Sequence, residues 1–280
     1  MMALEQPLPT GFGPYPFSIR ATDTDDQDRL HLFALFSYMQ ESAYRSFDAH
    51  DHGQAYFDAN GYCWLLTRIA VELDRLPRWG ETLTVDTWHQ GARRLIFIRS
   101  FRFFDESGTQ IGIASSEWLI ARQGSHRPLR PDHVWPQGAI GERSGETVPI
   151  DCLKLEPHRP LPDRPILVKY ADFSDIDRNH HVNNTRYVAW CVDAIHASLR
   201  GDDRAGLSDG LMVRRFDINY VNEIRMGTKV NLFTQLSTQP DTQPDTQPDG
   251  DGAFTWHVEA QRAEDGAQVF QARIVLLHQI

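Results

Sequence analysis

An α+β fold built from two copies of one unit is what this sequence predicts, and three observations carry that reading. The stretches "FSIRATDTD" (17–25) and "LVKYADFSDID" (167–177) are alike, each an alternating strand that ends in an acidic turn. A helical pattern follows each of them. Each half then closes on a series of strand patterns joined by turns. The order strand, helix, four strands therefore occurs twice. A helix followed by hairpin-type strands packs on one face of an antiparallel sheet. The first unit is set at residues 1–150 and the second at 151–280.

The elements follow in order. Leu32, Leu35, Phe36, Met39, Ala43 and Phe47 share one helical face, and so do Tyr187, Val188, Cys191, Ala194, Ile195 and Leu199. "VELDRLPRWGETLTV" (71–85) matches "INYVNEIRMGTKVNL" (218–232), each a strand, a turn with Gly and a second strand. The segments 94–104 and 110–121 complete the first half, and 253–262 and 268–277 the second. The polar, Pro-rich region 124–165 reads as an inter-domain linker ordered in part by Leu129 and Trp135. "TQPDTQPDTQPD" (238–249) lies between two strand patterns and holds no apolar residue, so an enlarged, disordered hairpin loop is expected over 238–251.

Composition narrows the function. With 280 residues, 41% hydrophobic and 24% charged, the chain can bury a core in one large or two ordinary domains. No apolar run reaches the roughly 18–20 residues that span a bilayer. The start, "MMALEQPLPTGFGPYPF", has neither the basic nor the apolar region of a signal peptide. Cys63, Cys152 and Cys191 are scattered and odd in number, which suits a reducing cytoplasm better than a disulfide framework. A net charge of −10 argues against general nucleic-acid binding, which rests on neutralising phosphates. It leaves room for a local basic patch that docks an acidic partner.

Chemistry concentrates before the second helix. From Asp177 to Asn184 the chain carries one acid, one Arg, three Asn and two His, with Val182 the one apolar residue. In extended backbone Asp177, Asn179 and His181 point the same way. The helix N-terminus beyond them offers backbone N–H groups to an oxyanion. Asn183 and Asn184 suit capping. The matching turn of the first half places Asp25 opposite Asp177, Gln27 opposite Asn179 and Arg29 opposite His181. The acid is kept there and the imidazole is lost. A plain polar turn is the competing reading. Metal binding is disfavoured, because His180 and His181 are adjacent and point apart, and "DAHDHG" (48–53) sits in a loop.

These residues carry a resemblance. "DIDRNHHVNNTRYVAWCVDAI" is similar to the D-x-N-x-H-V-N-N-x-x-Y-x-x-W segment of plant and bacterial acyl-acyl-carrier-protein (acyl-ACP) thioesterases. "CWLLTRIAVELDRLPRWGETLTVDTW" (63–88) resembles that family's W-x-x-x-R strand and P-x-W turn, and residues 91–131 its next hairpin. The resemblance implies two tandem hotdog domains, each a long helix wrapped by an antiparallel sheet. It implies an acyl-binding first domain and a catalytic second one, with Asp177, Asn179, His181 and Glu223 as the catalytic set and no cofactor or metal. Where the family carries Cys after that Glu, this chain has Ile224, and Cys191 reads as core.

The implied reaction is hydrolysis of a fatty acyl thioester to free acid and carrier thiol. A thiol with a pKa of about 8.5 leaves with little acid assistance, so the work lies in activating water and holding the oxyanion. His181 could polarise water or deliver a proton. Glu223 could act as base or attack directly. Asp177 could orient either, and Asn179 could hold substrate or water. Phe36, Met39 and the strand at Trp64–Leu66 are candidates for an acyl slot, though such residues are more often plain core and none is assigned as a specificity residue. The partner is the acidic acyl carrier protein. Arg93, Arg94, Arg122, Arg127 and Arg130 in one half, or Arg214, Arg215, Arg225 and Lys229 in the other, could meet it. The chain is expected as a monomer or homodimer. The competing functions are an acyl-CoA thioesterase of the same fold, a hotdog 3-hydroxyacyl-thioester dehydratase and a non-catalytic acyl-binding protein.

Overall fold

The computed structural model describes residues 13–49, 53–135, 143, 146–157, 160–200, 211–237 and 253–278. The expected TQPD loop and the central part of "DAHDHG" lie outside them. The chain divides into two compact units, Met1–Leu66 with Leu76–Ile150, and Thr67–Arg75 with Asp151–Ile280. Each unit holds a 17-residue helix packed on an antiparallel sheet, which is the hotdog arrangement.

The first unit runs β1 (Tyr15–Ser18), α1 (Leu32–Asp48), α2 (Gln54–Asn60), β2 (Tyr62–Leu73), β3 (Thr82–Arg93), β4 (Ile96–Phe104), β5 (Gln110–Arg122) and the short α3 (Pro131–Val134). Its strands lie in the order β1-β3-β4-β5-β2. Alternation decides which face is buried. Leu83 and Val85 of β3 and Phe97, Phe101 and Phe103 of β4 are buried, as are Leu35, Phe36 and Met39 of α1. An aromatic cluster of Phe47, Phe57, Tyr62, Phe97 and Trp135 fills the space beside α2, with Trp64 and Trp118 packed against it. Sequence periodicity missed α2 and α3, because helices of seven and four residues are too short to display it.

The second unit runs β6 (Leu167–Tyr170), α4 (Asn184–Arg200), β7 (Leu211–Tyr220), β8 (Lys229–Leu236), β9 (Ala253–Arg262) and β10 (Gln268–His278). The sheet order is β7-β10-β9-β8-β6. One sheet face is apolar and carries Phe216, Ile218, Val230, Leu232, Val258, Ala260, Phe270 and Ile274, all buried, while α4 buries Val188, Cys191 and Ala194. Residues 67–73 of β2 belong here by packing although they precede the unit in sequence. They pair with β7 from Arg68↔Asn219 to Glu72↔Arg215.

The opposite face of this sheet is polar and also buried, with Arg215, Asp217 and Asn219 on β7 and Gln271 and Arg273 on β10. The segment 151–157 is fastened to it. The Asn219 side chain accepts from Leu155 N–H at 2.8 Å and donates to the Leu153 carbonyl at 2.8 Å. In the first unit Arg143 makes two 2.7 Å bonds to Asp86, and Trp88 Nε1–H donates to the Glu146 carbonyl at 3.0 Å. In the region expected as a linker, residues 143 and 146 are therefore tied to the first unit's sheet and 153–155 to the second unit's by partly buried polar bonds.

Candidate active site

The crowded stretch at 175–184 folds as a closed turn. A 3₁₀ turn at Phe173–Asp175 leads into a bridge between Ile176 and Val182. Asp177 N–H donates to the His181 carbonyl at 2.9 Å, and His180 N–H donates to the Asp177 carbonyl at 3.0 Å. His180 takes φ +64°, a left-handed conformation that His tolerates better than most residues. The Asp177 carboxylate accepts from Asn179 N–H at 2.8 Å, an Asx turn. The expected extended alternation of Asp177, Asn179 and His181 is thus not how they meet, because the chain reverses between 177 and 181.

The helix cap corrects a second expectation. Asn183 Oδ1 accepts from Thr185 N–H at 3.0 Å and from the Thr185 hydroxyl at 2.9 Å. Asn183 N–H in turn donates to the Asp175 carbonyl at 2.8 Å. Asn183 is the cap, and Asn184 is the first helical residue. Of the backbone N–H groups around this helix start, which the sequence reading offered to an oxyanion as a group, those of 183 and 185 are already taken. Asp175 is buried and accepts from Arg186 Nε at 2.6 Å, which locks turn to helix.

Glu223 comes from the connection after β7. Val182 N–H donates to the Ile224 carbonyl at 3.0 Å, so the two segments are stitched one residue past each functional group. That stitch brings His181 Nε2 to 3.0 Å from Glu223 Oε2. The His181 side chain is 19% exposed and that of Glu223 39%, so the pair is reachable from solvent. Asp177 is half-buried in the same turn, and Asn179 is exposed and held through its backbone. Ile224 is buried. Cys191 is buried in α4, and burial pushes its thiol well up, which opposes the thiolate form. Among the described residues no three His, Cys, Asp or Glu side chains converge as a metal site.

Sequence reasoning assigned Tyr187 to the core alone. It is buried, with its ring packed against Tyr220 and Phe270, but its phenol feels the charges of Glu223 and Asp177. Burial pushes this phenol up, and the charges of Glu223 and Asp177 push it further. A polar-tipped aromatic in the first turn of the helix after the cluster was the available signal.

The first unit repeats this scaffold without its chemistry. Asp25 N–H donates to the Arg29 carbonyl at 2.8 Å, Asp28 takes φ +62°, and Leu30 N–H donates to the Pro77 carbonyl at 2.8 Å. Gly80 and Gly227 close the matching hairpins at φ +83° and +84°, which glycine alone adopts without strain. By this register Leu76 stands where Glu223 stands, and Arg29 where His181 stands. Arg29 Nε lies 2.9 Å from Asp25 Oδ2. Burial alone would raise the Asp25 carboxyl, but the Arg29 and Gln27 N–H groups and the Arg29 guanidinium outweigh it and hold it below the usual range. A carboxyl lowered by folding stabilises the fold above its unfolded pKa of about 3.9, and that contribution is lost as pH falls through the folded value. Asp25→Asn is therefore expected to lower the urea midpoint at neutral pH, with the gap closing below about pH 4. An equal gap at every pH would contradict the assignment.

Comparison with known proteins follows the same division. Residues 15–133 match the model of the acyl-ACP thioesterase N-terminal domain, and residues 164–274 match that of the C-terminal domain. The chain is 25% identical to a chloroplastic palmitoyl-acyl carrier protein thioesterase of Arabidopsis thaliana, over 92% of this chain and 62% of that protein, so it spans less than two thirds of that relative. The crystal structure of an acyl-ACP thioesterase from Bacteroides thetaiotaomicron matches with a TM-score of 0.73 at 25% identity, covering 94% of this chain and 97% of that one. The 12:0-ACP thioesterase of Umbellularia californica shares the fold with a TM-score of 0.74 at 20% identity, covering 95% and 94%.

Proposed function

The chain belongs to the acyl-ACP thioesterase family, and we propose that it hydrolyses the thioester of a fatty acyl carrier protein to free fatty acid and carrier thiol. The observation that carries this reading is the 3.0 Å approach of His181 Nε2 to Glu223 Oε2 on a turn whose twin in the first unit holds Arg29 and Leu76 instead. The same scaffold was kept twice, and one copy carries an acid–imidazole pair.

In this reading Nε2–H of His181 donates to Glu223, which leaves Nδ1 as the ring nitrogen that can accept a proton. Water attacks the thioester carbonyl while the pair takes its proton. The tetrahedral oxyanion collapses, the C–S bond breaks, and the sulfur leaves as thiolate and is then reprotonated. Asp177 holds the turn through Asn179 N–H and so positions His181. The exposed Asn179 amide is assigned to substrate or water. Direct attack by Glu223 is the other route, through a transient anhydride. Single turnover in labelled water separates them, since label entering the Glu223 carboxylate marks direct attack. The first unit, without the pair, is assigned the acyl chain.

The test is thiol release from acyl-ACP and acyl-CoA of matched chain length, from C8 to C18. Turnover of acyl-ACP above buffer is expected, and His180→Asn should keep it, since that residue is exposed and Asn also tolerates its φ of +64°. Faster turnover of acyl-CoA would keep the chemistry and change the partner. No release from either would refute the assignment.

A further inference from the structure

Several arginines of this protein are neutralised by carboxylates, whereas others, among them Arg78, Arg164 and Arg225, are exposed without an ion pair among the described residues. Arg29, Arg45, Arg143, Arg186, Arg214 and Arg215 each lie 2.6–2.9 Å from a carboxylate oxygen. Arg93, Arg94, Arg122, Arg127 and Arg130 are exposed and form no ion pair among the described residues. Arg122 turns its guanidinium to the Asn60 carbonyl at 3.3 Å and to the Tyr62 ring at 5.5 Å, and both leave its charge standing.

The five share one end of the first unit's sheet. Arg93 pairs with Ile96 across the β3–β4 turn, and Phe97 pairs with Trp118 of β5. Arg94 is the first residue of the turn between β3 and β4, at φ +58°, at the sheet end where β5 finishes with Arg122. Arg122 N–H donates to the Arg127 carbonyl at 3.1 Å, and Leu129 N–H donates to the Ile120 carbonyl at 2.8 Å, which folds 127–130 back on the same end. Asp58 and Asp132 are the nearby acids by chain position, and Asp58 is engaged by Gln54. In the second half's group Arg215 is buried and Arg214 is paired with Asp74 at 2.6 Å, which leaves two exposed cations, Arg225 and Lys229, against five at the first unit's edge.

We infer that this arginine edge of the first unit is the docking surface for an acidic protein partner, the carrier that bears the acyl group. In a chain of net charge −10, general electrostatics would repel an acidic protein. A local edge of unneutralised arginines reverses that over the length of a contact, and steers approach as much as it holds the complex. This inference rests on the proposed acyl-ACP activity for its partner, while its geometry stands apart from the catalytic turn.

The experiment compares acyl-ACP with the same acyl group on pantetheine, which carries no phosphate. For Arg93→Glu/Arg94→Glu/Arg127→Glu, kcat/KM on acyl-ACP at low salt should fall about tenfold or more through KM. On acyl-pantetheine it should stay within about twofold, since surface changes of this kind leave the fold intact. Raising salt from about 10 mM to 1 M, which shortens the screening length from about 30 to 3 Å, should weaken wild-type activity on acyl-ACP alone. The milder Arg94→Gln/Arg127→Gln should move the same way by less. Unchanged KM for acyl-ACP, or an equal loss on both substrates with salt indifference in the wild type, would overturn the inference. Should wild type hydrolyse neither thioester, the proposed reaction fails, and binding of the unacylated carrier by calorimetry still decides the surface. Binding lost in the triple variant supports it, and binding unchanged or absent in the wild type sinks it.

Discussion

His181→Ala is expected to lower kcat on acyl-ACP by about 10²–10⁴-fold, the contribution of a positioned acid–base group. KM should change little, because the imidazole meets the reacting water and its proton rather than the acyl chain. The chain should stay folded. His181 is partly exposed, and its backbone carbonyl, which accepts from Asp177 N–H at 2.9 Å, survives the change. Glu223→Gln should cost a similar factor, since the amide cannot take a proton or hold the imidazole's charge. The double variant should be little worse than either single one, because groups acting as a unit are not additive. Steady-state thiol release on the four proteins checks this. A multiplicative double variant would mean the two residues act separately.

Asp217→Ala should destabilise the protein by about 3–5 kcal/mol, the cost of breaking a buried ion pair from one side. The Asp217 side chain is fully buried. It receives Arg215 through two bonds of 2.9 and 3.0 Å and Arg273 at 3.3 Å. Arg215 also reaches Glu72 at 2.7 Å and the Asp151 carbonyl at 3.1 Å. One carboxylate therefore holds β7, β10, the end of β2 and the start of segment 151–157 in register. Burial would push the Arg215 guanidinium down, but the hydrogen bond and charge of Asp217 and then Glu72 reverse that. Removing Asp217 leaves two buried guanidiniums facing a gap. Urea unfolding measures the loss, and a change below about 1 kcal/mol would show that solvent reaches the network.

Much of the fold was legible because hydrophobic period is a local signal. The face of Leu32, Leu35, Phe36 and Met39 announced α1, and the segments 253–262 and 268–277 appear as β9 and β10 with bounds changed by at most one residue. The polar back of the second sheet was not legible. Arg215, Asp217 and Asn219 alternate with Phe216 and Ile218, and such alternation reads as a solvated face until segment 151–157 is seen to cover it. Membership of residues 67–75 in the second unit depends on pairing with a strand more than a hundred residues away, which local pattern does not encode.

The site was half legible for the same reason. The residues of the turn stood out by composition, but their geometry depends on a reversal at His180 that extended spacing does not foresee. Glu223 was named through the resemblance alone, since an acid past a strand end is commonplace. Only the Val182–Ile224 stitch explains why it reaches His181. Leu76 in the equivalent place of the first unit was visible only after the two hairpins could be matched by their bonds.

The most direct test of the central claim is the rate of carrier-thiol release from an acyl-ACP series by wild type beside Glu223→Gln. Release that depends on wild type and falls by about 10²-fold or more in the variant is expected. Release unaffected by Glu223→Gln, in a variant with the wild-type unfolding midpoint, would contradict the claim that the second unit's turn is the reaction centre.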